Sequence, residues 1–140
     1  AVAVDPGSGK ILLLSKRTEP PILYELPLRP ESNAASIASR IGTTEVNAPI
    51  PSFIPYRNQP TGMDISADSS VAAVVTYYGV FLYARKPKQT WPEAFAAKPA
   101  KLGSHGLHQA EAIALSSDGD TIFVISEGPS SPITRFLRSD

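Results

Sequence analysis

Three stretches of the chain share one order of apolar and polar positions. Each has a short alternating segment, a turn rich in Gly, Ser or Asp, and an apolar run. They read AVAVDPGSGKILLLSK from Ala1, GMDISADSSVAAVVTY from Gly62 and AIALSSDGDTIFVISE from Ala112. Alternation with a period of two predicts a strand, and two such runs around a polar turn predict a hairpin. The sequence therefore predicts three β-hairpins that align without a gap.

The two strands of each predicted hairpin differ in their side-chain pattern. The first strand carries small or short side chains on one face, namely Ala1, Ala3, Gly62, Asp64, Ala112 and Ala114. The second strand is apolar at odd and even positions alike, as in VAAVV from Val71, which is expected where both faces of a sheet are covered. Sheets stacked around a common centre meet both conditions, because small residues permit a close approach there.

Further strands are predicted after each hairpin. The third-strand candidates are PPILYEL, GVFLYAR and SPITRFL. A fourth strand is expected within NAASIASRIGTTEV and within QTWPEAFAAKPAKLG, where Trp91 is a candidate outer packing anchor. In the latter segment a short helix is the alternative, because Thr90 and Glu93 have the spacing of a capping box.

Repeats of this kind predict an all-β chain made of antiparallel β-propeller blades, with a β-sandwich as the alternative. The predicted units are residues 1–46, 61–102 and 109–140 of one partial propeller domain, with a proline-rich loop over 47–60. These units amount to about two and a half to three blades, whereas propellers close with roughly 4–8. We therefore expect the C-terminal part of a ring, whose remaining blades come from a preceding chain segment or from other subunits.

Charge and composition narrow the functions that such a fold can serve. Thirteen Lys and Arg residues balance thirteen Asp and Glu residues, so there is no basic field for nucleic acid or an anionic membrane. The chain has no cysteine, which excludes disulfides and thiolate chemistry. Its apolar runs are far shorter than the roughly 18 residues of a membrane span, so none is predicted.

The hairpin turns resemble those of known bacterial propellers. SSDG at 116–119 and SADS at 66–69 are similar to the SPDG turn of TolB-type and lactonase-type propellers, with Ser117 and Ala67 in place of proline. The wider pattern AVAVDPGSGKILLLSKR, TGMDIS, QAEAIA and ISEG resembles a group of bacterial propeller-like proteins, distantly similar to esterase-like phytase and SdiA-regulated propellers. Such proteins are often exported, so the resemblance implies a periplasmic or secreted location. It implies no particular reaction.

One face of the predicted ring gathers the candidate site residues. In a propeller, the first strand of each blade starts, and the second ends, on the same face of the ring. The predicted ligand-binding rim comprises Lys16, Arg17, Tyr77, Tyr78, Asp64, Glu111 and Glu127. Among these, Asp64 lies within a first strand, where it either lines a central channel or accepts a hydrogen bond from a neighbouring blade.

The length of the third hairpin turn decides whether Glu111 and Glu127 face each other. A two-residue turn at Asp118 and Gly119 would place Glu111 opposite Ser126, with the two carboxylates on opposite faces. A three-residue turn with a bulge would place Glu111 opposite Glu127, about 5 Å apart. The close pair suits Ca²⁺, which takes oxygen ligands. The alternative is a strand-end Glu that accepts backbone N–H bonds or pairs with a basic residue of the next blade.

Three functions are compatible with these residues. The first is a rim that binds a small molecule or a protein partner. The second is a calcium-assisted hydrolase of the lactonase or phosphoesterase type, in which Glu111 and Glu127 hold Ca²⁺ and His108 assists proton transfer. The third is a scaffold with a purely structural role.

Overall fold

The computed structural model describes residues 1–32, 35–48 and 50–138. In these residues the strands form three antiparallel sheets, so the predicted all-β class is confirmed. Parts of three predictions lie outside the described residues: the start of one fourth strand at Asn33 and Ala34, Pro49 of the loop, and the end of the last unit at Ser139 and Asp140.

Each sheet holds strands that are consecutive in the chain. The first sheet consists of β1 (Val2–Asp5), β2 (Lys10–Leu14), β3 (Ile22–Pro27) and β4 (Ser39–Thr43). The second sheet consists of β5 (Pro60–Ile65), β6 (Val71–Thr76), β7 (Gly79–Ala84) and β8 (Ala100–Lys101). The third sheet consists of β9 (Ala110–Leu115), β10 (Thr121–Ser126) and β11 (Ile133–Leu137). The described residues between β4 and β5 form no strand or helix, and β5 begins at Pro60, the last residue of the predicted loop.

The three hairpins share one register at their turns. Four residues lie between the paired residues that flank each turn, at 6–9 between Asp5 and Lys10, at 67–70 between Ser66 and Val71, and at 117–120 between Ser116 and Thr121. The residues on either side of each turn are hydrogen-bonded partners, and the pairing continues residue by residue into both strands. The gap-free alignment of the hairpins is therefore confirmed. Equivalent positions differ by 61 between the first and second hairpins and by 50 between the second and third.

The second sheet lies between the other two and is buried on both faces. Ala72 and Val74 belong to a core shared with the first sheet, whereas Ala73 and Val75 belong to a core shared with the third. All four are fully buried. The apolar character of every position from Val71 to Val75 follows from this double burial.

The outer sheets depart from the predicted double coverage. In β2, Leu12 and Leu14 are buried while Leu13 is only half-buried. In β10, Val124 is buried while Phe123 is 39% exposed. In the described residues β2 and β10 are therefore covered on one face, because only the second sheet has a neighbour on each side there.

The segment after β7 contains both of the predicted alternatives. Helix α1 (Trp91–Ala96) comes first and the short strand β8 follows. Thr90 caps the helix: its side chain accepts a hydrogen bond from the Glu93 N–H, and the Glu93 carboxylate accepts one from the Thr90 N–H. Trp91 and Phe95 are buried, and α1 packs against β4 of the first sheet and β7 of the second. The predicted packing role of Trp91 is therefore confirmed.

A buried carboxylate connects the first two sheets to this helix. Asp5 is fully buried and accepts hydrogen bonds from Trp91 Nε1 at 2.9 Å, Ser69 Oγ at 2.5 Å, Ser8 Oγ at 2.5 Å and the Gly7 N–H at 3.2 Å. A buried charge is tolerated only when it is paired or hydrogen bonded. The donors supplied by both sheets and the helix meet that requirement.

Removal of this carboxylate is expected to destabilise the fold strongly. Asp5→Ala leaves the indole N–H of Trp91 without its acceptor in a buried site, so we expect the free energy of unfolding to fall by about 2–4 kcal/mol. Urea denaturation measures this change. The control is Asp118→Ala in the exposed turn of the third hairpin, which should have a much smaller effect; equal effects would contradict the structural role of Asp5.

The same carboxylate predicts a stability change in acid. Burial raises the pKa of Asp5, but the hydrogen bonds from Ser69, Ser8, Trp91 and Gly7 together outweigh it and hold the pKa below its ordinary value of 3.8. A carboxyl group with a lowered pKa in the folded state stabilises the fold above its ordinary pKa, and this contribution is lost as the pH falls. The difference in unfolding free energy between the wild type and Asp5→Asn should therefore shrink below about pH 4. A difference that stays constant from pH 7 to pH 3 in urea titrations would refute this assignment.

Candidate functional site

The first strands of the three sheets lie side by side. β1 packs against β5, and β5 packs against β9. A Cβ atom added at Gly62 would lie 3.1 Å from the Glu111 carbonyl oxygen and 3.2 Å from Ala112 Cα. The Thr61 hydroxyl reaches the Ala110 carbonyl oxygen at 2.6 Å. The small residues of the first strands therefore do permit the predicted close approach.

A cavity of about 640 Å³ runs along these strands. Its walls include Val2, Leu14, Thr61, Gly62, Glu111 and Ala112. The lining is largely apolar, and Glu111 is its acidic residue. This combination of apolar walls and a polar group at one place is typical of a ligand site.

A β-bulge sets the direction of Glu111. Ala112 pairs with Ile125 and Ala110 pairs with Ser126, so Glu111 is the extra residue between them. Neither predicted arrangement is therefore observed: the turn has four residues, and Glu111 lies opposite neither Ser126 nor Glu127. Bulges re-aim a side chain at the end of a strand.

The second sheet has a bulge at the equivalent place. The register of β5 shifts between Pro60 and Gly62, which makes Thr61 the extra residue there. Thr61 and Glu111 are 50 positions apart, the offset between equivalent residues of the second and third hairpins. Equivalent β-bulges thus carry the Thr61 hydroxyl in the second sheet and the Glu111 carboxylate in the third.

Glu111 joins side chains from all three sheets. Its Oε1 accepts a hydrogen bond from the Tyr77 hydroxyl at 2.9 Å and pairs with Lys16 Nζ at 3.3 Å. Lys16 Nζ also lies 5.0 Å from the centroid of the Tyr77 ring, within range of a cation–π interaction. Lys16 follows β2 and Tyr77 follows β6, at equivalent positions of the two hairpins. The structure therefore brings together three of the predicted rim residues.

The electrostatics of this cluster favour a charged lysine. The Tyr77 side chain raises the pKa of Lys16 most, burial lowers it, and the Glu111 carboxylate raises it again, so that the pKa lies above its ordinary value. The Lys16 and Glu111 side chains remain 38% and 31% exposed. A pair this exposed contributes less than about 1 kcal/mol to stability. The Lys16–Glu111 pair therefore contributes little to the stability of the fold.

The other candidate residues make no contact with this cluster through a hydrogen bond or ion pair in the described residues. Arg17 and Tyr78 follow Lys16 and Tyr77 in the chain and are exposed, as are His108 and Glu127. Within the described residues none of the four shares a hydrogen bond or ion pair with Lys16, Tyr77 or Glu111. His108 therefore has no partner there that would activate it.

Asp64 is an anchor between two sheets. Its Oδ2 accepts a hydrogen bond from the Leu115 N–H of the third sheet at 2.7 Å, and its Oδ1 accepts one from the Ile65 N–H at 2.9 Å. Of the two predicted roles, this is the bond to a neighbouring unit. It satisfies an acid within a strand where an unpartnered carboxylate would be costly.

His105 is a structural residue that the sequence did not single out for this role. It is buried; its Nδ1 accepts a hydrogen bond from the Leu107 N–H, so Nε2 carries the proton and donates to the Thr76 carbonyl at 3.0 Å. The Thr134 hydroxyl donates to the His105 carbonyl. This loop histidine thereby ties the second sheet to the third. In the sequence, the neighbouring Gly103 and Gly106 indicate only that His105 lies in a loop.

Among the residues described by the structure, no group of three or more His, Cys, Asp or Glu side chains is arranged to hold a metal ion. Ca²⁺ binding by Glu111 and Glu127 stays a prediction. Compared with models of known protein families the chain matches none, and among curated proteins no match is found. No described helix has the length and hydropathy to cross a membrane.

The close approach of β5 and β9 gives a direct test. Gly62→Ala forces a methyl group against the backbone of β9 and the Val75 side chain, so we expect a loss of about 1–3 kcal/mol in unfolding free energy. Gly103→Ala is the matched control, because a Cβ there has no heavy atom within 4 Å and Gly103 has no positive φ. Thermal and urea unfolding compare the two; a silent Gly62→Ala would mean that the first strands are not tightly packed.

Proposed function

We propose that the three sheets are blades of a β-propeller and that the edge around Glu111 is a ligand-binding rim. Strands in chain order, a repeated hairpin register and adjacent first strands support the propeller. The likeness of the turns at 66–69 and 116–119 to those of bacterial propellers supports it as well. On the same resemblance, we propose a periplasmic or secreted location.

The outer sheet faces support further blades of the same kind. By the register equivalence, Ile11 and Leu13 of the first sheet correspond to Ala72 and Val74, which are buried against the preceding sheet. Phe123 of the third sheet corresponds in the same way to Ala73, which is buried against the following sheet. Each outer face therefore carries apolar side chains at positions whose equivalents in the second sheet are buried against a neighbouring sheet. We propose that further blades, from the same polypeptide or another subunit, cover them.

The binding function rests on one observation: side chains from all three sheets converge on Glu111 beside the cavity. Lys16 and Tyr77 both hold Oε1, which fixes the carboxylate. Within the described residues, Oε2 accepts no hydrogen bond and is free for a ligand. Fixed polar groups beside apolar walls give orientation and specificity in binding sites.

This geometry favours a small ligand that donates hydrogen bonds, such as a hydroxyl- or amine-bearing molecule. An amine or hydroxyl can reach Oε2 while its carbon skeleton covers the apolar wall at Gly62 and Ala112. A protein partner could present the same groups from a lysine or serine side chain.

A calcium-assisted hydrolase at the same rim is the alternative. It requires Ca²⁺ to displace Lys16 from Glu111, with Glu127 as a second ligand and His108 near the substrate. A purely structural scaffold is the third proposal, in which the rim binds nothing.

Titration followed by ¹H–¹⁵N NMR tests the binding proposal. We expect methylammonium and glucose to shift the amide signals of Gly62, Glu111 and Ala112, and acetate to leave them in place, because acetate has no hydrogen-bond donor to offer to Oε2. Glu111→Gln should abolish the methylammonium response. Glu25→Gln is the matched control. Glu25 forms a similar ion pair, in which its Oε1 lies 2.7 Å from Lys10 Nζ, and this pair is not part of the rim.

The outcomes separate the three functions. Shifts confined to the rim and lost in Glu111→Gln support binding. A rise in melting temperature with millimolar Ca²⁺ but not Mg²⁺ would favour the hydrolase, because a ligand specific to the folded state stabilises it by mass action. Spectra that respond to none of the probes, with no effect of Ca²⁺, would favour the scaffold.

A further inference from the structure

A second cavity lies between the second and third sheets, on the side of the hairpin turns. Its volume is about 910 Å³, the size of a site for a drug-like molecule or a short peptide segment. Its floor is apolar and consists of Val71, Leu82, Leu102, Leu115, Ile122 and Phe136. Its border is charged, with Asp68, Asp118 and Asp120 together with Arg135 and Arg138. We refer to it as the second-junction groove.

The equivalent junction between the first and second sheets contains helix α1. There Phe95 packs on the Tyr83 ring, with centroids 4.6 Å apart, and Trp91 lies 5.8 Å from Phe95. Arg85 stacks on the Trp91 ring at 4.8 Å. Tyr83 of β7 thus contacts Phe95, and Arg85, the second residue after Tyr83, contacts Trp91.

The third sheet repeats both receiving positions. Ala72 pairs with Tyr83 in the second sheet, and its equivalent Ile122 pairs with Phe136 in the third, so Phe136 corresponds to Tyr83. The backbone N–H of Arg85 donates a hydrogen bond to the Ser70 carbonyl. In the third sheet the Arg138 N–H donates in the same way to the carbonyl of Asp120, the equivalent of Ser70. Arg138 therefore corresponds to Arg85.

These two residues differ from their equivalents in exposure. Tyr83 is fully buried beneath Phe95, whereas Phe136 is only half-buried in the groove. The Arg138 side chain is 77% exposed and reaches Asp120 only at 3.7 Å. The groove thus presents an aromatic ring and a guanidinium in the positions that bind Phe95 and Trp91 at the first junction.

We propose that the second-junction groove is a docking site for a short amphipathic helix with two aromatic residues four positions apart. Such a helix would pack one ring on Phe136 and the other under Arg138, as Phe95 and Trp91 do against Tyr83 and Arg85. Residues four apart lie on one face of a helix, so both aromatic rings of such a helix can face the groove. Asp68, whose pKa is lowered to about 2 by hydrogen bonds from Ser66 and Ser70, offers an acceptor for an indole N–H. This site is separate from the Glu111 rim and does not depend on the function proposed for it.

A peptide copied from α1 tests the proposal. The probe is QTWPEAFAAKP, residues 89–99, labelled with a fluorophore and titrated with the protein in an anisotropy assay. We expect saturable binding, and binding at least about tenfold weaker when the peptide carries both Trp91→Ala and Phe95→Ala, which remove the aromatic contacts but keep the capping box. Arg138→Glu in the protein should weaken binding as well. Because Arg138 is exposed, this variant should fold normally.

The control is Arg40→Glu, an exposed arginine in β4 of the first sheet, which should leave binding unchanged. NMR shifts of the Phe136 and Leu115 amides on addition of peptide would locate the binding in the groove. No saturable binding, equal affinity for the alanine peptide, or indifference to Arg138→Glu would each overturn the proposal. Self-association of the protein in sedimentation velocity runs that Arg138→Glu abolishes would overturn it in favour of a second copy in the groove.

Discussion

The close approach of the first strands is the constraint on which the rest of the structure depends. A Cβ atom at Gly62 would lie only 3.1–3.2 Å from backbone atoms of β9, so the two sheets approach closely at this glycine. Because the strands meet at this edge, the sheets diverge from it and enclose a core on each side of β6. The cavity beside Glu111 follows the meeting strands, and the second-junction groove opens where the sheets diverge.

Polar contacts between sheets complement this packing. Asp5 accepts hydrogen bonds from Ser69 of the second sheet and from Trp91 of α1. Asp64 accepts a hydrogen bond from the Leu115 N–H, and His105 donates one to the Thr76 carbonyl. Each of these groups has a partner across a junction, and no described buried side-chain polar atom lacks a hydrogen-bond partner. Hydrophobic burial is non-directional, whereas these hydrogen bonds require particular atoms to meet. They therefore fix how the sheets are placed relative to each other.

Local patterns in the sequence predicted the strands, the hairpin alignment and the Thr90–Glu93 cap, because period-two alternation and capping depend on near neighbours. The bulge at Glu111 could not be predicted, since it arises where β9 packs against β5, not at the turn that the sequence displays. The bond between Asp5 and Trp91 joins residues 86 positions apart, and nothing local indicates it. Lys16, Tyr77 and Glu111 were predicted on one face; their contact depends on how the sheets stack.

The bulges at Thr61 and Glu111 have a consequence for how such a chain can diverge. In a regular strand, each side chain belongs to one of the two faces of the sheet, so a new charge must be accommodated by the neighbouring layer. A bulged residue stands outside that alternation, and the pairs on either side of it stay intact. The two sheets use this position differently: the Thr61 hydroxyl donates to the Ala110 carbonyl of the third sheet, whereas the Glu111 carboxylate accepts hydrogen bonds from Tyr77 and Lys16. The same backbone irregularity thus serves an inter-sheet hydrogen bond in one repeat and a cluster of charged and aromatic side chains in the next.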